Sequence, residues 1–86
     1  AAFALVALPV HAQVYTTARS PAVDQPQTEL AGFARQNGIP FLNLLPPLRS
    51  RAREPLFYDN CHYTPRGNEV VAGLILDFLR GSGVAP

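Results

Sequence analysis

"FALVALP", residues 3–9, is an unbroken apolar run that stops at a proline, and its reading decides what kind of fold the chain can adopt. Six apolar residues are too few for an amphipathic helix but suit a strand covered on both faces, the pattern of a parallel sheet. Pro9 has no N–H to give to a ladder and ends the run. The same letters have a second reading. In residues 1–13, "AAFALVALPVHAQ", an apolar stretch leads to Val-His-Ala, which resembles the small-residue cleavage site of a secretory signal, although the basic segment that opens such signals is missing. We read the run as a strand.

Downstream, "IPFLNLL" at 39–45 is a second short apolar run rich in strand formers, and Pro46-Pro47 closes it. The intervening "TTARSPAVDQPQ", residues 16–27, is polar and proline-containing and reads as a loop. Within it Asp24 is expected to cap a helix whose first turn holds Pro26. Leu30, Phe33 and Ala34 then recur at helical spacing until Asn37-Gly38 stops it, so the helix is predicted over about 26–37. Strand, crossover helix and strand make a βαβ unit, which predicts that 3–8 and 39–44 are adjacent or near-adjacent parallel strands. The fold class is α/β with a parallel sheet that needs more strands than these.

Past the second strand, "PPLRSRARE" predicts a short irregular helix and "PLFY" a short extended piece. Thr64 can cap a last helix with Pro65 at its first position. Val70, Val71, Leu74, Ile75, Phe78 and Leu79 form its expected buried stripe, and Gly81 its expected end. There is no internal repeat.

Composition excludes several classes. The 86 residues make one domain at most, and a chain this short buries only about 60 to 65% of the surface it exposes when unfolded. No apolar stretch approaches the roughly 20 residues of a transmembrane helix. Seven arginines against six acids leave a net charge of +1, which is no electrostatic footprint for nucleic acid. Cys61 is the only cysteine, so no internal disulfide can form. The chain has no Met and opens inside an apolar run, from which we expect a piece of a longer gene product.

The chemistry lies in "YDNCHYTPRGN", residues 58–68, where Asp59 stands three residues ahead of His62 on the approach to the last helix. An imidazole that takes a proton from a hydroxyl needs its far nitrogen held in the N–H form. A carboxylate hydrogen-bonded to Nδ1 does this and stabilises the imidazolium that forms. The spacing lets Asp59 orient His62 as a general base, and the ordinary alternative is a solvated loop in which Asp caps local N–H groups.

The block "FYDNCHYTPRGNEVVAGLILDFL", 57–79, resembles the C-terminal block of the SGNH (GDSL-type) hydrolase family, where Asp-x-x-His precedes the final helix. "GIPFLNLLPPLR" resembles the family's strand and loop before that block, and "ALVALPVHAQVY" an earlier strand in members that act at the bacterial envelope. The resemblance covers nearly the whole chain, with Asp-x-x-His, Thr-Pro and Gly at 59–67 its most specific part. It implies that residues 1–86 are the C-terminal part of one three-layer α/β/α, flavodoxin-like hydrolase domain. It also implies that His62 and Asp59 belong to a Ser-His-Asp triad. The reaction implied is acyl transfer from a small ester or an acylated carbohydrate, with no cofactor and no metal. Water as acceptor makes an esterase and a sugar hydroxyl a polysaccharide O-acyltransferase, while a non-catalytic binding domain would keep the fold and lose the chemistry. A bacterial envelope or periplasmic location is slightly favoured.

The family's Gly-Asp-Ser nucleophile block, oxyanion-hole glycine and Gly-x-Asn-Asp block are not in this sequence. Ser20, Ser50 and Ser82 sit in a proline loop, among arginines and in a glycine tail, and none is assigned as nucleophile. Cys61 beside His62 is not read as a Cys/His pair, because neighbours in an extended segment point apart. His11, Asp59, Cys61 and His62 show no recognised metal-ligand spacing. Arg49, Arg51 and Arg53 read as a solvated face. Asn60 and Tyr63 are weak candidates for lining a substrate cleft.

Overall fold

The structure, a computed structural model, describes residues 3–17 and 20–83. Its elements run β1 (Leu5–Ala7), α1 (His11–Tyr15), α2 (Pro21–Gln36), β2 (Phe41–Asn43), α3 (Leu45–Arg49) and α4 (Pro65–Ser82). β1 and β2 pair in parallel, with Leu5 opposite Phe41, Val6 opposite Leu42 and Ala7 opposite Asn43. The fold is therefore mixed α/β around a two-stranded parallel sheet, and the two apolar runs pair as the crossover pattern predicts. Each strand is three residues long, the centre of its predicted run. Flanking bonds lengthen the pairing: the Leu5 N–H donates to the Pro40 carbonyl at 2.9 Å and the Leu44 N–H to the Ala7 carbonyl at 3.2 Å.

The first apolar run is a strand at Leu5–Ala7, with residues 1 and 2 of the signal reading outside the described residues. The helix α1, which periodicity does not reveal, follows Pro9. The Gln13 carboxamide oxygen accepts the Val10 N–H at 3.1 Å and so satisfies one donor that the helix start leaves open.

The crossover helix begins five residues before its predicted start, and residues 21–27 are helix, not loop; Ala18 and Arg19 of that loop lie outside the described residues. Pro21 takes the first helical position, where its missing N–H costs nothing. Pro26 lies inside the helix, where it removes the bond to the Ala22 carbonyl, but both residues are exposed, so water can solvate that oxygen. Asp24 does not cap the helix. It stands in the first turn of α2, and Arg49 grips both its carboxylate oxygens, Nη2 to Oδ1 at 2.7 Å and Nη1 to Oδ2 at 3.2 Å. Arg49 Nε also donates to the Gln13 carbonyl at 3.0 Å. Beside this clamp the buried Gln27 exchanges two amide hydrogen bonds with Gln13, at 2.9 and 3.1 Å. The start of α2 is thus held by tertiary contacts, which sequence periodicity does not display.

Helix α3 starts where Pro46 and Pro47 can neither donate nor be missed, and the Asn43 side chain accepts the Leu45 N–H at 3.0 Å. Its Leu45 and Leu48 join Val14, Leu44, Leu56 and Val70 in the core cluster, against which Val6, Leu42, Val71 and Leu74 pack. Burying each such leucine contributes about 1.5–3 kcal/mol. Helix α2 packs against both strands through a surface that includes the buried Ala34.

Helix α4 begins as predicted. The Thr64 hydroxyl accepts the Gly67 N–H at 2.9 Å, and Pro65 stands at the first position. It does not stop at Gly81 but at Gly83, whose φ of 79° is the left-handed conformation that ends a helix. Of the predicted stripe only Val70 is fully buried; Val71, Leu74, Ile75, Phe78 and Leu79 are half-buried. The reason is length. An 18-residue helix extends for about 27 Å, and it reaches the core cluster through Val70, Val71 and Leu74 in its first half while the rest runs past it.

Candidate active site

The segment between α3 and α4 folds back on itself around Asp59. Phe57 and Tyr63 form an isolated antiparallel bridge, and the Tyr58 N–H donates to the His62 carbonyl at 2.8 Å. Inside this loop Asp59 Oδ1 accepts the backbone N–H groups of Cys61 and His62 at 3.0 and 2.9 Å. Two backbone donors on one carboxylate oxygen define a tight turn that aspartate favours. The turn carries the His62 ring onto the same carboxylate, with Nδ1 2.8 Å from Oδ2 and 2.9 Å from Oδ1. The contact expected from the three-residue spacing is present.

The electrostatics of Asp59 determine which nitrogen carries the proton. The Cys61 backbone N–H, then the His62 N–H and the His62 ring, hold the Asp59 carboxyl down at about 2. Near neutral pH it is ionised and only accepts, so Nδ1 must be the protonated, donating nitrogen. In a neutral imidazole Nε2, on the opposite edge of the ring, then keeps the lone pair. The pair is open to solvent, with 73% of the His62 side chain and 56% of the Asp59 side chain exposed. A base with its far nitrogen fixed and its near nitrogen accessible can accept a proton from an approaching hydroxyl.

Two contacts tie this loop to the chain that leaves β1. The His11 N–H donates to the Asn60 carbonyl at 2.9 Å, and the Tyr63 hydroxyl donates to the carbonyl of the buried Pro9 at 2.6 Å. Tyr63 is half-buried, its ring 4.3 Å from that of Phe57, and burial pushes its phenol up to about 12, so it remains a proton donor at physiological pH. Its hydroxyl is directed to Pro9, whereas Asn60 is exposed beside the pair. The His11, Tyr15, Phe57 and Tyr63 rings form one aromatic group beneath the loop. Sequence spacing marks neither His11 nor Pro9 as a partner of the site, because their link to the loop spans about fifty residues of chain.

Cys61 and His62 are neighbours, yet the bend at Asp59 brings Sγ to 3.7 Å from Nδ1, where an extended segment would have parted them. That nitrogen is the one engaged by Asp59, so it is not available to activate the thiol. The donor atoms of Asp59, Cys61 and His62 all lie within 4.8 Å of one another, a grouping that sequence spacing does not suggest and that His11 does not join. Ser50 and Ser82 donate their hydroxyls to the Pro47 and Leu79 carbonyls, at 2.7 and 3.1 Å. Of the three arginines read as a solvated face, Arg53 is exposed and Arg51 pairs with Glu54 at 3.0 Å, but Arg49 is only 16% exposed and structural.

Comparison of the chain with protein-family models, with curated proteins and with solved structures gives no match. No described helix is long and apolar enough to cross a membrane.

Proposed function

We propose that this chain carries the general base and its orienting carboxylate of a serine ester hydrolase of the SGNH type. The observation that carries the reading is the Asp59–His62 contact at 2.8 Å, with the backbone of the same turn holding the carboxylate ionised. In this reading a serine from outside these 86 residues loses its proton to His62 Nε2 as its oxygen bonds to the ester carbonyl. His62 returns that proton to the departing alcohol. Water then repeats the sequence, breaking the acyl–serine bond and releasing the acid. The nucleophile and the oxyanion donors must come from the same absent part of the domain.

The fold is compatible with this proposal. Helix α2 packs on a parallel strand pair whose Val6 and Leu42 pack against the cluster shared with α3 and α4, and in this reading the pair would belong to a larger three-layer α/β/α, flavodoxin-like sheet. The half-buried stripe of α4 would be covered by further strands of that sheet. Transfer to a sugar hydroxyl uses the same pair and makes the protein a polysaccharide O-acyltransferase.

The test is p-nitrophenyl acetate hydrolysis by the full-length protein. We expect turnover that His62→Ala lowers by several orders of magnitude and Asp59→Asn by somewhat less, because a misoriented base still accepts a proton. The 86-residue chain by itself should not exceed free imidazole. Turnover that survives His62→Ala overturns the role of His62. A full sequence without a Gly-Asp-Ser block, together with no turnover, points to a binding domain instead.

A further inference from the structure

We infer that Tyr63 is a positioning residue whose hydroxyl, bonded to the Pro9 carbonyl, sets the orientation of the His62 ring. This role rests on the site of the proposed hydrolase, but its geometric part stands without any reaction. Residues 58–62 are all exposed, so side-chain packing does little to hold the turn. Its internal bonds, from Tyr58 to His62 and from Cys61 and His62 to Asp59, shape it but do not place it on the body of the protein. Placement falls to two contacts with the chain that leaves β1. In the middle of the turn the His11 N–H reaches the Asn60 carbonyl at 2.9 Å. Directly after His62, Tyr63 inserts its ring against Phe57 and donates to Pro9 at 2.6 Å. Pro9 is fully buried, so its carbonyl oxygen depends on a protein donor, and the tyrosine hydroxyl supplies one.

Tyr63 therefore joins the residue that follows the base to the end of the strand that forms the sheet. A shift of its backbone turns the His62 residue, and because Asp59 Oδ1 holds both the His62 N–H and the ring Nδ1, the carboxylate cannot keep both bonds as that residue turns, and Nδ1 leaves it. A misplacement of about 1 Å in such a constellation can cost up to about 100-fold in rate.

Tyr63→Phe in the full-length protein is the test, since it keeps the ring and removes only the donor. The direct readout is the tautomer of His62, taken from ring nitrogen shifts in histidine-labelled protein. In the parent the Nδ1–H form dominates; in Tyr63→Phe the balance moves toward the Nε2–H form of an unheld imidazole. Kinetically kcat falls about 10-fold while KM stays within about twofold, as expected when an oriented base and not a substrate contact is lost. Tyr15→Phe is the control, because Tyr15 sits in the same aromatic group but spends its hydroxyl on the Glu54 carbonyl, at 2.8 Å, and on the Leu56 N–H. An unchanged tautomer balance in Tyr63→Phe overturns the inference, as does an equal change in Tyr15→Phe, which would assign the effect to general loosening. A protein without esterase activity, or one indifferent to His62→Ala, overturns the hydrolase reading and leaves the tautomer result to decide the role of Tyr63.

Discussion

A Cβ placed on Gly67 would lie 2.1 Å from the carbonyl oxygen of Leu56. The first turn of α4 lies directly on the segment before the Asp59 loop, and that same Leu56 oxygen accepts the Thr64 N–H at 2.9 Å. The glycine of the Thr-Pro-x-Gly stretch is therefore a contact requirement, not a point of flexibility. It lets the helix approach the backbone of the extended piece, and it helps set the distance between α4 and the loop that bears His62.

Gly67→Ala should destabilise the protein by about 1–3 kcal/mol, because the colliding atom belongs to backbone and cannot swing aside. Gly73 is exposed in the middle of the same helix, and a Cβ there would meet nothing within 4 Å. Gly73→Ala should stabilise by roughly 0.5–1 kcal/mol through helix propensity alone. Urea unfolding midpoints of the two variants should move in opposite directions. A neutral Gly67→Ala would show that α4 can retreat from Leu56 freely.

Arg49→Lys should be nearly as damaging as Arg49→Ala. Arg49 makes three bonds, two to Asp24 and one to the Gln13 carbonyl, with a planar fork that an ammonium cannot reproduce. Asp24 is 44% exposed, so solvent screens part of the attraction and the loss is about 1 kcal/mol, no more than a good partly exposed pair provides. Equilibrium unfolding checks this, and amide exchange should show the loss concentrated in residues 21–27. Full stability in Arg49→Lys would mean that the charge alone is sufficient.

The Asp59 turn should withstand acid until unusually low pH. Its carboxyl is held at about 2, chiefly by the Cys61 and His62 backbone N–H groups, against an ordinary value of 3.8. A depressed carboxyl contributes stability that is complete above the ordinary value and disappears as pH falls through the depressed one. The window is thus from about 4 down to about 2. Carbon-detected titration of the Asp59 carboxyl should give a midpoint near the lower figure, with the Cys61 and His62 amide shifts following it. A midpoint near 3.8 would mean that the turn is open in solution.

Asp59 and His62 are legible as a pair in the sequence because the groups concerned are three residues apart and one tight turn suffices to join them. The two parallel strands and the cap at Thr64 are legible for a related reason: an apolar run, a proline and a hydroxyl act on their own neighbours. The start of α2 is not legible. Asp24 and Pro26 mark a helix start by local preference, yet Arg49, twenty-five residues away, takes Asp24 as an ion-pair partner and the helix continues back to Pro21. The depth of the α4 stripe is likewise out of reach, since burial depends on which distant parts of the chain pack against the helix.

What the amino-acid order determined by itself is the set of short-range choices: where strands and helices can form, which residue caps α4, and that Asp59 can reach His62. Tertiary structure alone decided which face of that loop is held and by what. The Pro9 carbonyl meets the Tyr63 hydroxyl across 54 positions of chain, and the His11 N–H meets Asn60 nearby. Hydrogen bonds of that span exist only after the strands have paired and the core has closed, so no local pattern of residue types encodes them. Local chemistry supplies the pair, and the packed fold ties the loop that carries it to the chain that leaves β1.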